Sequence, residues 1–284
     1  MDKKLYGVLG FPVKHSFSPA MHNAAFSALG IDAEYRLFEV KPDDLGIFFN
    51  SLREKNIHGF NITVPYKQTA IVYLDSLSSE ARLIGAVNTV KVTDKGLEGF
   101  NTDGEGFLKH LVEDLEFNPA GKSISVIGAG GAAKAILVYL ARKKPKRLII
   151  YDIDQARLLV AVRHLKEHAG GIEILPAKSV GELKVGSADL LINATPVGMK
   201  PADPCLVDGR HIDKGLLVYD LIYNPPKTKL LEVAQEKKAR ISNGLGMLLY
   251  QGMTAFEIWT GKKAPKEVMQ QALLQAVKSG DGSP

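Results

Sequence analysis

Cysteine is almost missing from this 284-residue chain. Cys205 is the only one, so neither an intramolecular disulfide nor a cysteine metal cluster can form. Also missing is an apolar run approaching the ~18 residues that a membrane-spanning helix needs. The opening stretch MDKKLYGVLG lacks the hydrophobic segment and cleavage site of a signal peptide. A cytoplasmic protein without a membrane partner is the expectation. Charge of one sign is never concentrated: the formal +5 is scattered over pairs such as Lys3–Lys4, Lys143–Lys144, Lys237–Lys238 and Lys262–Lys263. Nucleic-acid binding wants a basic stripe with interleaved aromatics, so these pairs read as solvated faces and no nucleic-acid partner is expected. No low-complexity tract, internal repeat or metal-ligand cluster stands out, and no metal is expected.

What is present is a globular composition, 45% hydrophobic and 24% charged, in a chain long enough for two ordinary domains. Strand-like and helical runs alternate from the start. KLYGVLG reads as a strand, SPAMHNAAFSALG as a helix with Pro19 near its start and Gly30 past its end, and EYRLFEV as a second strand. PDDLGIFFNSLREKN carries Leu45, Phe48, Phe49 and Leu52 at helical spacing. GFNITVP is a third strand, and AVNTVKV and GLEGFNTD suggest two more. A second βα series opens after FNPAGK: SISVIGAGGAAKAILVYLARK, RLIIYDID, ADLLINATPVGM and LLVYDLIYNP. The pattern predicts two α/β domains, the first with a mostly parallel sheet and the second of Rossmann type. The boundary falls near residues 104–120, and the closing apolar helix MLLYQGMTAFEIW could belong to either domain.

SISVIGAGGAAKA is the clearest chemical motif. A β-branched strand runs into Gly128, Gly130 and Gly131, and a helix follows at once. Gly128 permits the tight turn, Gly130 lets the backbone approach a pyrophosphate, and Ala133 is the small residue that packs helix on strand. The helix start then offers unpaired N–H groups to phosphate. Asp152, ending the next strand, stands at about the ~20-residue distance of a ribose-binding acid. A ligand-free glycine turn and a methyltransferase loop are the competing readings, and dinucleotide binding is favoured.

In the first half, Asn61 and Thr63 share the face of GFNITVPYK opposite Phe60, Ile62 and Val64, with Lys67 just beyond Pro65. Ser18 before Pro19 reads as an N-cap, which is also where a carboxylate could be held. Thr102 and Glu105 have capping-box spacing, which would free the Asp103 carboxylate for other work. Asn88 interrupts an apolar strand, as either a buried structural amide or a ligand. Gln251 shares a stripe with Thr254 and Glu257, a wet face on the plainer reading, and a lone Lys67 is more often a solvated residue than a catalyst.

Taken together, HSFSPAMHN, GFNITVPYK, LIGAVNTV, GFNTDGEGF, VIGAGGAAKA, NATPVGM, DLIYNP and NGLGMLLYQG resemble shikimate dehydrogenase over essentially the whole chain. The resemblance implies an oxidoreductase of the shikimate pathway to aromatic amino acids, interconverting 3-dehydroshikimate and shikimate with NAD(P), as a monomer or homodimer. It implies that residues 1–103 with about 243–284 form the substrate domain, that 104–242 bind the dinucleotide, and that substrate lies between them. It further implies that Ser16, Ser18 and Tyr223 meet the substrate carboxylate, and that Asn61, Thr63, Asn88, Asp103 and Gln251 meet the ring hydroxyls. Lys67 matches the catalytic lysine, with Asp103 beside it. Gly128, Ala129, Gly130, Gly131 and Ala132 match the phosphate loop, and Leu221 and Gly244 match positions near the nicotinamide.

The chain departs from the family at one informative place. NADP-using members carry Asn-Arg-Thr after the second strand of the nucleotide domain, and this chain reads Asp152, Ile153, Asp154, with only the later Arg157. A carboxylate suits the free 2′-hydroxyl of NAD and repels a 2′-phosphate, so Asp152 and Ile153 favour NAD against the commoner NADP. The alternative is that Arg157 with nearby lysines still holds the phosphate. NAD use also keeps open a quinate/shikimate dehydrogenase. A dinucleotide-sensing protein without activity would not need Lys67 and Asp103 together.

Overall fold

The structure, a computed structural model, describes residues 3–280 and divides into two compact units, Met1–Gly106 with Leu248–Pro284, and Phe107–Met247. Both divisions fall inside helices.

The first unit opens with β1 (Lys4–Gly10), α1 (Ser18–Ala28), β2 (Ala33–Glu39), α2 (Leu45–Asn50) and β3 (Ile57–Ile62). It continues with β4 (Ser76–Leu77), α3 (Ser79–Ile84), β5 (Thr89–Thr93), β6 (Gly96–Phe100) and the start of α4 (Asp103–Lys109). Its six-stranded sheet has the order β2-β1-β3-β5-β6-β4. The β1 pairs with β2 and β3 and the β4–β6 pair are parallel, while β5 runs antiparallel to β3 and β6. Strand alternation sorts β3: Phe60 and Ile62 join Leu9, Phe48, Phe49, Leu52 and Val90 in one core, and Asn61 points to the other face. The helix expected over residues 42–56 is shorter. A 3₁₀ turn (Pro42–Asp44) leads into α2, and the chain leaves through a left-handed Asn56 at φ 52°.

The second unit contains β7 (Ser123–Ile127), α5 (Gly131–Arg142), β8 (Arg147–Tyr151), α6 (Gln155–His168), β9 (Glu173–Ala177) and β10 (Leu190–Asn193). Then come β11 (Leu217–Asp220), α7 (Lys229–Glu236) and β12 (Arg240–Ser242). All pairings are parallel in the order β12-β11-β10-β7-β8-β9. That is the doubly wound order, which reverses between β7 and β10 and leaves a crevice at their carboxyl ends. From this unit α8 (Leu245–Thr260) carries the chain back into the first, where α9 (Lys266–Ser279) packs along α1. No described helix is long and apolar enough to cross a membrane.

Candidate active site

The strand directions of the first unit gather residues far apart in sequence. Parallel β1 and β3 deliver their following loops to one end of the sheet. Because β5 is antiparallel to β3 and β6 to β5, the start of β5 and the end of β6 reach that same end. Thus Asn88, just before β5, and Asp103, just after β6, meet Lys67, in the turn after β3. Lys67 Nζ lies 2.5 Å from Asp103 Oδ2, with side chains 15% and 5% exposed. Lys67 is therefore no solvated surface residue.

Asp103 is held from the other side as well. Asn88 Nδ2 lies 2.9 Å from Asp103 Oδ1, 2.9 Å from Thr102 Oγ1 and 3.3 Å from Gln251 Oε1. Gln251 is buried rather than on a wet face, because a Cβ-free Gly106 brings α4 against the α8 backbone beside it. Asn61 has a different surrounding from the one expected: its carboxamide bonds to Tyr35, Thr89 and the Asn88 carbonyl. Thr63 and Ser18 keep hydroxyls that bond to no other group of the protein, among the described residues.

The N-cap expectation for Ser18 is corrected: α1 starts at Ser18 itself, with Phe17 in the cap position and no side-chain cap. Ser16 Oγ instead accepts the Ser18 N–H at 3.3 Å, folding the loop locally. Neither serine hydrogen-bonds to the Lys67 cluster.

In the second unit the glycine loop follows β7. Gly128 has φ +111°, and a Cβ there would approach the Ala194 carbonyl at 2.8 Å. A Cβ on Gly130 would stand in open space, and α5 begins at Gly131 with no side-chain cap. A loop open above Gly130 and an uncapped helix start fit a pyrophosphate. Ala129 N–H donates to Asp152 Oδ2 at 2.7 Å, and Asp154 N–H donates to Asp152 Oδ1 at 2.8 Å. The Asp152 carboxylate, 6% exposed, thereby ties the glycine loop to the end of β8. Arg157 leans on both acids, 3.2 Å from Asp154 and 3.9 Å from Asp152, and Ile153 is 88% exposed. Lys134 on α5 has its pKa lowered, first by burial and then by the Arg157 charge.

Leu221, Tyr223 and Gly244 all follow the carboxyl end of β11 or the adjacent β12; a side chain on Gly244 would collide with the Leu221 carbonyl. Sequence reasoning missed the polar knot beside them. Asp220, fully buried at the end of β11, accepts from Asn193 Nδ2 at 3.0 Å, Thr228 Oγ1 at 2.7 Å and Ile222 N at 3.0 Å. Burial raises its pKa against the lowering effect of those bonds. The quoted NATPVGM and DLIYNP held that signal, since a polar residue ending each of two apolar parallel strands marks the crevice side. Tyr35 and Thr89 were also missed, and Thr102, read only as a helix cap, meets Asn88 and Thr89. Contrary to the reading of no ligand cluster, α6 brings atoms of His164, Glu167 and His168 within 4.8 Å of one another. Spacings of three and four place them on one helix face. They lie up to 13 residues, or about 20 Å, along α6 from its start near Asp152.

Two family models match the chain: the shikimate dehydrogenase substrate binding domain over residues 8–90 and the shikimate 5′-dehydrogenase C-terminal domain over residues 244–274. A shikimate dehydrogenase (NADP⁺) of Methanopyrus kandleri is 43% identical over 98% of this chain and 97% of its own. A solved shikimate dehydrogenase in complex with NADP⁺ superposes with a TM-score of 0.89 at 37% identity, over 97% of this chain and 96% of that one. Quinate dehydrogenase from Corynebacterium glutamicum, in complex with NAD, gives a TM-score of 0.86 at 30% identity, over 97% of this chain and all of the other.

Proposed function

This chain belongs to the shikimate dehydrogenase family, and we propose that it interconverts 3-dehydroshikimate and shikimate with a nicotinamide cofactor. The observation that carries the reading is the buried Lys67–Asp103 pair, set among the side-chain amides of Asn88 and Gln251. When bound, the cofactor supplies the hydride for reduction or accepts it on oxidation. The chain must then manage one proton. Lys67 Nζ delivers it to the oxygen that becomes a hydroxyl, and takes it back in the reverse direction, a role typically worth ~10²–10⁴-fold. The Asp103 carboxylate orients the ammonium. The unpaired Ser18 and Thr63 hydroxyls, with Ser16, are the donors offered to a carboxylate and ring hydroxyls. A site that pairs each hydroxyl rejects analogues lacking one.

For the cofactor the proposal is NAD in preference to NADP. Asp152 and Asp154 place two negative charges beside a ribose 2′-position, and Arg157 is already drawn onto both. The NADP⁺ relatives weigh on the other side. The alternative substrate is quinate, supported by the likeness to a quinate dehydrogenase that binds NAD. A cytoplasmic setting is part of the proposal, since the free Cys205 suits a reducing compartment.

The test is a grid of initial rates, shikimate or quinate with NAD⁺ or NADP⁺, run on wild type and Lys67→Met. Shikimate with NAD⁺ should turn over fastest, and Lys67→Met should lose at least ~10²-fold in kcat. A clear NADP⁺ preference would refute the cofactor reading, and faster quinate turnover would select the alternative. Wild-type kcat with only a raised KM in Lys67→Met would remove Lys67 from proton transfer.

A further inference from the structure

We propose that Tyr35 is a positioning residue for the Lys67–Asp103 pair, acting through Asn61 and Asn88. The proposal rests on the functional reading above, and its argument is the direction in which each proton in a buried chain must point. The Tyr35 hydroxyl lies 2.7 Å from Asn61 Oδ1. That contact makes Oδ1 the acceptor, so Asn61 Nδ2 faces the Thr89 hydroxyl at 3.0 Å and the Asn88 carbonyl at 3.2 Å. Thr89 Oγ1, accepting from Asn61, sends its own proton elsewhere, and Asn88 Oδ1 at 3.1 Å is a shorter contact than Thr102 Oγ1 at 3.3 Å. With Oδ1 occupied, Asn88 presents Nδ2 to Asp103 Oδ1 at 2.9 Å. One tyrosine proton thus reinforces the orientation of two amides, which the Asn88 carbonyl and the Thr102 N–H also support, and the second of them donates to the carboxylate that holds Lys67.

Tyr35 is itself firmly placed. It is 1% exposed, and its backbone N–H and C=O both bond to the Asn23 side chain, at 2.7 and 3.0 Å. Its ring stacks on His22, with centroids 4.3 Å apart and planes 6° apart. A buried tyrosine needs only some acceptor, and Tyr66 in the same unit uses the Val40 carbonyl at 2.6 Å. Tyr35 instead spends its proton on a side chain whose orientation is transmitted onward. Without that proton, Asn61 is kept in place mainly by its 3.2 Å bond to the Asn88 carbonyl, and in the fraction that turns over it accepts from Thr89, so that Asn88 loses one of the donors to Oδ1. The Thr102 N–H, 2.7 Å from the same Oδ1, still favours the productive orientation. The loss is therefore partial, and an oxygen facing Asp103 in part of the population misplaces Lys67 in that part.

The experiment compares wild type with Tyr35→Phe, Thr89→Val and the double variant. Tyr35→Phe should lower kcat about tenfold with KM for shikimate changed less than about threefold, because a misplaced Lys67 costs turnover rather than substrate binding. The double variant should lose no more in kcat than the worse single, since both break one chain. Independent multiplication of the two effects, an unchanged kcat in Tyr35→Phe, or a raised KM with kcat kept would overturn the proposal. A second readout needs no turnover: the Asn88 side-chain amide resonances, assigned with Asn88→Asp, should shift in Tyr35→Phe and stay put if the chain does not exist. A wild type without activity would refute the functional reading while those resonances still decide the positioning role.

Discussion

At Asp152 one carboxylate already serves two neighbours within the protein. Its oxygens each accept a backbone N–H, from Ala129 in the glycine loop and from Asp154 at the start of α6. An asparagine could accept only on one side, so the acid has a structural task within the protein. The double variant Asp152→Asn with Ile153→Arg removes one repelling charge and adds a cation at a position that is 88% exposed. The ratio of kcat/KM for NADP⁺ to that for NAD⁺ should rise at least ~10-fold, a change of about 1.4 kcal/mol. An unchanged ratio would mean that charge at this strand end does not choose the cofactor.

Glycines set how closely α8 can lie against its neighbours. A Cβ on Gly106 would sit 2.5 Å from the Gln251 backbone nitrogen, and one on Gly59 would sit 2.5 Å from the Trp259 indole, whose Nε1 donates to the Val90 carbonyl at 2.9 Å. Gly252 lies against the Met21 side chain in the same way. Gly106→Ala must therefore push backbone from backbone, an overpacking cost of roughly 1–3 kcal/mol. The displaced group is Gln251, which stands 3.3 Å from Asn88. The expected outcome is a melting temperature lowered by several degrees together with a raised KM for substrate. A variant with normal melting and normal KM would show that α8 relaxes freely along α4.

His22 makes the stability of the whole molecule depend on pH. It is fully buried among Tyr35, Phe256 and Trp259, neither ring nitrogen finds a hydrogen-bond partner among the described residues, and burial lowers its pKa to about 3. In the unfolded chain the same group titrates near ~6.5. Below that pH the unfolded state binds a proton that the folded state refuses, so stability is lost as pH falls from ~6.5 toward 3. The slope from this group approaches about 1.4 kcal/mol per pH unit in mid-window. The sole tryptophan, Trp259, has its ring 5.4 Å from His22, so urea unfolding followed by its fluorescence reads the right unit. His22→Phe should gain on wild type by roughly that slope between pH 6 and pH 4. Parallel stability curves for the two proteins would show that His22 acquires a proton, or a partner, in the folded state.

Periodicity and motif order in the sequence were enough to indicate two α/β units, the doubly wound character of the second and the glycine loop, while Lys67, Asp103, Asn88 and Gln251 were singled out only by the family resemblance. Such signals are local: alternation along one strand, a turn that only glycine permits, a helix that follows at once. Sequence could not say that Gln251 is buried, that Ser16 takes the Ser18 N–H, or that Asn61 is occupied by Tyr35 and Thr89, because each fact depends on pairing between distant segments. The short β12 was illegible for the same reason, since three residues carry no period and exist as a strand only through β11. Residue types determined which chemistry was available. Strand direction in the first sheet, reversed only at β5, decided that Asn88 and Asp103 stand at the same end as Lys67, where one buried ammonium meets one carboxylate.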